Sequence, residues 1–318
     1  MQVIIFLFLC MVWGTTWAAI KISLGGLPPF LGSGLRFTIA SFLLLGFMLL
    51  KGVSFRLNKK HLKYIFFSAF LMYVMDYGLI YWGEQFLSAG VTSIFFATFP
   101  IFTGIWATFL FRSEKFQWNK FAGLLLGFTG ILLVFYDQLL QTRFSQSVIY
   151  GTAAIVLGAA GGGMAVVIVK KYLSEVNHVS LSFYQMIHGV FFLLIFGFLF
   201  ENTGSVHLTA QVWLAVIYLG GVGSALAFAL YYWLLQKVSA ITVSLIIYIT
   251  PLVALVVDYF LFGEVVHPRA VVGMIIIFSG VALTEFDRRR FFALQQKFLI
   301  LRAKPGRQNF DRTNSGSR

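Results

Sequence analysis

Residues Tyr81–Ser93 read YWGEQFLSAGVTS, and residues Tyr231–Ser244 read YYWLLQKVSAITVS. A displacement of 151 positions lays Tyr81 on Tyr232, Trp82 on Trp233, Gln85 on Gln236, Ser88 on Ser239, Ala89 on Ala240 and Ser93 on Ser244. The same displacement carries Pro100 onto Pro251 and the run FLF at Phe109 onto FLF at Phe260. After a one-residue slip, Glu114 meets Glu264, Gly123 meets Gly273, Gly130 meets Gly280 and Asp137 meets Asp287. A weaker register brings Lys21 onto Lys170 and Arg36 onto Gln185. The chain holds two copies of one unit.

Composition says what that unit is made of. The 318 residues are 59% hydrophobic, 18% aromatic and only 11% charged. A water-soluble domain cannot cover so much apolar surface, whereas lipid can. Spans of about 20 apolar residues, the length that crosses ~30 Å of hydrocarbon, recur along the chain. They lie near 3–21, 29–50, 63–83, 90–111, 119–137, 148–170, 180–200, 211–235, 240–262 and 270–286. The first has no basic leader or small-residue cleavage site and reads as a span rather than a secretory signal. The expected fold is an all-α polytopic membrane protein of about ten transmembrane helices.

Ten spans in two copies give five each. Five is odd, so the second copy must cross the membrane in the opposite sense. The expected organisation is a first five-helix repeat over 1–137, a linker over 138–147, a second repeat over 148–286 and a basic tail over 287–318. Inverted repeats allow a central site to open to either side in turn, which a carrier needs.

The formal net charge of +13 belongs to topology. When alternate loops are assigned to opposite sides, 20 of the 24 Lys and Arg fall on one side and three on the other, with Arg36 inside a span. By the positive-inside rule both termini are cytoplasmic and nucleic acid is not the partner. The start of the tail alternates basic and apolar residues, a pattern for an interfacial helix on anionic lipid, and disorder is expected from Pro305. Cys10 is the single cysteine, so no internal disulfide is possible.

Several residues stand out as chemistry-bearing. Intramembrane charges are costly and mark functional positions. Asp76, Glu84 and Asp258 are the acids available for proton coupling; Arg36, about 10 Å into the second span at 1.5 Å per residue, either binds an anion or snorkels to the interface. Lys21, at a span end, reads as an interfacial anchor. Tyr77, Tyr81, Glu84 and Gln85 fall at i, i+4, i+7 and i+8, and Tyr231, Tyr232 and Gln236 form a similar set on the eighth span. Aromatic rings with amides and hydroxyls suit a small amphipathic molecule, although an interfacial aromatic belt has the same composition. Pro100 and Pro251 each delete a helix hydrogen bond near mid-span and are expected to kink it as hinges, freeing the carbonyls of Phe96 and Ile247. Glu114 and Glu264 read as helix-terminal residues. The glycine clusters Gly161–Gly163 and Gly220/Gly221/Gly223 lack a following Lys-Ser/Thr and read as helix-packing surfaces.

WGTTW at Trp13–Trp17 followed by Lys21, LRF at Leu35–Phe37 and the paired Pro…FLF…Glu…Gly…Gly runs resemble the EamA-type members of the drug/metabolite transporter superfamily. The likeness covers about residues 3–286. One departure is RSEK at Arg112–Lys115, where the second copy reads FGEV with Gly263. The resemblance implies a ten-helix transporter with a central cavity, acting on amino acids, sugars, nucleobases or other small metabolites. Taken with the residue patterns, the expected binding set is Trp17, Arg36, Tyr77, Tyr81, Glu84, Gln85, Tyr231, Tyr232 and Gln236. The expected function is a secondary active exporter of a small metabolite, an amino acid or related compound, in a bacterial inner membrane. Its partners are that substrate, the bilayer and a coupling proton, with no cofactor or metal.

The rival classes are an intramembrane enzyme and a channel. No His-Glu-x-x-His helix is present, Asp76 and Asp258 are each followed by tyrosine rather than glycine, and the loops are short for a filter.

Overall fold

The computed structural model describes residues 1–111, 117–143, 145–253 and 268–285. Asp258, Glu114, Glu264 and the tail from Phe286 therefore lie outside the described residues. The described chain is built from ten apolar helices: α1 (Gln2–Leu24), α2 (Pro29–Lys51), α3 (Lys59–Glu84), α4 (Ala89–Leu110), α5 (Trp118–Val134), α6 (Gln146–Tyr172), α7 (His178–Phe200), α8 (Ala210–Lys237), α9 (Ala240–Val253) and α10 (Pro268–Glu285). Eight are long and apolar enough to cross a membrane; α5 and α9 are shorter apolar helices. A short helix, Tyr136–Gln141, follows α5.

The repeat is legible at matched positions of the backbone. Asn58 caps the start of α3 and Thr209, 151 residues on, caps α8. Ser88 accepts from Val91 N at the start of α4, and Ser239 accepts from Thr242 N at the start of α9. These hydroxyls and amides satisfy amides that a helix start leaves unpaired. The Lys21/Lys170 match has a similar cause at the opposite pole. Lys21 Nζ donates to the carbonyls of Glu84 and Leu87, both at 2.7 Å. Lys170 Nζ donates to those of Leu235 at 2.8 Å and Gln236 at 3.4 Å. Each lysine thus neutralises the carbonyl end of its own half's third helix, a favourable place for a cation. Lys21, exposed at its span end, clamps the end of α3.

Two further devices recur. Inside α3, Phe70–Gly78 is π-helical, and inside α8 so is Gly221–Leu226, starting 151 residues later. Near the prolines, Ala97 N bonds back to Ile94 O and Tyr248 N to Leu245 O, a tighter i to i−3 turn at the same displacement. These turns break α4 and α9 three residues before Pro100 and Pro251. The carbonyl of Ile247, freed by Pro251, is not open to the interior: Thr250 Oγ1 donates to it at 3.2 Å.

The halves interlock. α3 packs on α6 and α1 on α8, so the third helix of each half lies against the first helix of the other; α2 and α7 pack together between them. Residues Met1–Thr284 form one compact unit. Glycines allow the closest approaches. A Cβ at Gly130 would lie 2.7 Å from Gly273 O, and one at Gly273 would lie 2.7 Å from Gly130 O. A Cβ at Gly123 would lie 2.6 Å from Gly280 O, and one at Gly280 would lie 2.6 Å from Gly123 O. Gly123 matches Gly273 and Gly130 matches Gly280 in the repeat, so each glycine meets the partner of the other. Such reciprocity is the mark of a two-fold contact. The Gly161–Gly163 cluster serves packing too: Gly162 lies under the Asp76 carboxylate and Gly163 against Thr103.

Candidate functional site

The π-helical stretches bring polar chemistry to the middle of the bundle. A π-turn widens the helix and displaces carbonyls from their usual donors, and it recurs at functional sites. In α8, the freed carbonyl of Gly223 accepts from Trp13 Nε1 at 3.2 Å and from Arg36 Nη2 at 3.1 Å. Arg36 Nε donates to Ser224 Oγ at 2.7 Å, and the guanidinium lies over the rings of Phe37 and Tyr77 at 5.1 and 4.9 Å. Arg36 is 1% exposed. Of the two expectations for it, snorkelling fails: the side chain turns inward and ties α2 to α8. Its repeat partner Gln185 does the mirrored task, donating from Nε2 to Ser68 Oγ of α3. That is the physical content of the weak Arg36/Gln185 match.

In α3 the π-helical stretch carries Asp76. Its side chain is 2% exposed and Oδ1 has no hydrogen-bond partner. It faces a cavity of about 50 Å³ lined by α1, α3, α4, α8 and α9. The walls are Trp13, Thr16, Trp17 and Ile20; Met72, Asp76, Tyr77 and Ile80; Phe96 and Phe99; Phe228 and Tyr231; and Val243, Ser244, Ile247 and Thr250. A water molecule needs at least ~10–15 Å³ of such space, so the cavity admits a few waters. It is well below the ~300–1,000 Å³ of sites that hold a small molecule. In this conformation the site is closed down. The rings pack against one another: Trp17 edge-on to Phe96 at 5.4 Å, and, tilted, Trp13 with Tyr231 at 5.0 Å and Phe96 with Phe99 at 5.3 Å.

Of the expected binding residues, Trp17, Tyr77 and Tyr231 line this cavity together with Asp76. Arg36, Tyr81, Glu84 and Tyr232 are buried behind it. Glu84 is 0% exposed, with neither carboxylate oxygen partnered; it is enclosed rather than open at the mouth of the span. Gln85 is exposed and folds back onto Trp82 O. At 100° per residue it stands about 80° around α3 from Tyr77, which takes it off the inward face. Gln236 is half-buried and donates to Val176 O at 2.7 Å, holding the α6–α7 turn instead of facing the cavity. Phe96 and Ile247, named for their proline-freed carbonyls, line the cavity, and Trp13, Thr16, Phe228, Ser244 and Thr250 line it without having been expected there. Trp13, Thr16 and Ser244 had signals, the first two as members of WGTTW and the last as a repeat-matched serine; Phe228 looks like any apolar span residue, and Thr250 carries no motif of its own.

A second recess, of about 400 Å³, lies at the end of the bundle where α2 begins and α7 ends. It is lined by Leu24–Pro29, Trp82, Gln85, Glu201, Asn202 and Ser205. Here the Glu201 carboxylate accepts from Phe30 N at 2.8 Å and Leu31 N at 2.9 Å. The start of α2 has no side-chain cap of its own, so Glu201 caps it from the end of α7.

Among the described residues, an all-helical bundle of two like halves around a narrow aromatic cavity has the construction of a membrane carrier. The model of the EamA-like transporter family matches residues 1–136 and 149–286, and the chain belongs to that family. Among curated relatives, it is 27% identical over 280 residues to the uncharacterized transporter YoaV of Bacillus subtilis (strain 168), covering 88% of this chain and 95% of that one. It is 24% identical over 285 residues to protein PagO of Salmonella typhimurium, covering 90% and 93%. A solved crystal structure superimposes with a TM-score of 0.76 at 18% identity, over 91% of this chain and 98% of that one, which shows a shared fold. The protein is an integral membrane transporter for a small-molecule substrate.

Proposed function

We propose that the chain is a secondary active transporter that exports a small amphipathic metabolite, of amino-acid size, by alternating access. The observation that carries this reading is the narrow cavity around Asp76, lined by helices from both halves. Interlocked inverted repeats with a site at their interface can exchange conformations and expose that site to either face. The repeats are taken to run over 1–137 and 148–286, with Pro100 and Pro251 as the hinges of α4 and α9. Proton coupling is assigned to the buried acids Asp76 and Glu84. Both termini are placed in the cytoplasm of a bacterial inner-membrane protein on the Lys/Arg distribution.

Purified protein in proteoliposomes tests this. Saturable flux of a small solute that follows an imposed pH gradient supports the carrier. Flux that does not saturate indicates a channel, and chemical conversion without flux indicates an enzyme. If the Asn variant at Asp76 and the Gln variant at Glu84 both retain pH-dependent flux, the coupling assignment falls. Reporter fusions that place the C-terminus outside the cytoplasm refute the topology.

A further inference from the structure

We infer that the cavity selects an organic monocation, an amine with an apolar body and no carboxylate. This rests on the transport reading above and names the charge class of its substrate. Three observations point the same way.

First, among the described residues lining the cavity Asp76 is the only carboxylate, and no Lys, Arg or His is among them. A carboxylate in an apolar shell needs a cation or a proton close by, because it has lost its water. Asp76 is 98% buried with Oδ1 unpartnered, so its own protein does not supply that partner at this oxygen. Second, the remaining wall is mostly aromatic: Trp13, Trp17, Tyr77, Phe96, Phe228 and Tyr231 surround the space. Ring faces attract cations, most strongly when water is excluded, and cages of such rings recognise ammonium groups. Third, the nearby positive charge is turned away from the cavity. Arg36 Nε and Nη2 donate to Ser224 and to the Gly223 carbonyl of α8, Nη1 is buried without a hydrogen-bond partner, and Arg36 is not among the residues lining the cavity.

Among the described residues lining the cavity, a substrate carboxylate would therefore meet one carboxylate and no basic side chain. The unpartnered wall donor, Trp17 Nε1, suits one neutral acceptor such as a hydroxyl or carbonyl. Among those wall residues a zwitterion finds a charged partner for its amine only, and an anion finds none.

A series of one skeleton in three charge states tests this on the full chain: phenethylamine, phenylalanine and 3-phenylpropionate. Binding is read from quenching of the cavity tryptophans and from thermal protection in detergent. Phenethylamine is expected to bind roughly tenfold or more tighter than the other two, a difference of ~1.4 kcal/mol or more. Asp76→Asn should erase that preference and Asp76→Glu should keep it. The proposal is overturned if phenylalanine or phenylpropionate binds as well as the amine, if none of the three binds, or if Asp76→Asn keeps the preference. The comparison on the unaltered chain needs no variant, so a misfolded Asp76→Asn does not shelter the idea. Saturable transport of a zwitterion leaves the transporter reading standing and removes the cation class. Amine binding at Asp76 without any gradient-driven flux does the reverse.

Discussion

Glu201 offers a sharp test of how the two halves are tied together. Its carboxylate is the side-chain cap of α2, held at 2.8 and 2.9 Å from two backbone amides in the first turn. Glu201→Ala leaves both amides without a protein acceptor. Removing a helix cap costs about 0.5–2 kcal/mol, and hydrogen bonds to a charged group contribute ~1.5–3 kcal/mol each. The site is half-buried, so water recovers part of the loss, leaving roughly 1–2 kcal/mol. At about 2–4 °C per kcal/mol for a chain near this size, the melting midpoint should fall by about 2–8 °C. Glu201→Gln keeps a carbonyl acceptor for one amide and should lose less than half as much. Cys10 supplies the readout: it is the chain's single cysteine and 1% exposed, so a thiol-reactive dye reports unfolding directly.

The pH dependence of Glu201 has a definite sign. Burial raises its carboxyl above the usual carboxylate range, with the two backbone amides pulling the other way. The folded chain then holds that proton more tightly than the unfolded chain, and ionisation costs the fold. The contribution of this site to stability falls as pH rises from the ordinary carboxyl range through the raised one. The wild-type midpoint minus the Glu201→Gln midpoint should shrink across that window and level off above it. An Ala variant that melts with the wild type refutes the capping role. So does a Gln variant that falls as far as Ala.

Other predictions follow from packing and charge. Gly273→Ala sets a methyl 2.7 Å from Gly130 O; overpacking of this kind costs ~1–3 kcal/mol. Gly46→Ala meets nothing within 4 Å and should melt at or slightly above the wild type on the same assay. Lys170→Met uncovers the carbonyls at the end of α8 and should cost about 1 kcal/mol, with Lys170→Arg restoring most of it. Cys10 should resist a maleimide in native membrane vesicles and react fully after denaturation.

The division between sequence and tertiary structure is clear at particular residues. Hydropathy alone is enough to count ten spans, because each must cross the same thickness of hydrocarbon. The 151-residue displacement makes the repeat visible because inverted halves need the same caps and breaks: Ser88 and Ser239 at helix starts, Lys21 and Lys170 at helix ends, and the prolines after the tight turns. Intramembrane charge singled out Asp76 and Arg36, since such residues survive in lipid only with a task or a partner. What the sequence could not decide was which of these face the cavity. That depends on how the helices are rotated against their neighbours, which no apolar pattern reveals. Gln85 stands outside, Glu84 is sealed in, and Gln236 braces a turn. Arg36 could equally have reached toward lipid headgroups. Only the approach of α8, with a Gly223 carbonyl freed by its π-turn, gave the guanidinium an interior partner worth the loss of water. The cavity itself is a tertiary product: five helices contribute to its walls, and residues more than 200 positions apart, such as Trp13 and Tyr231, meet there because the halves are interleaved.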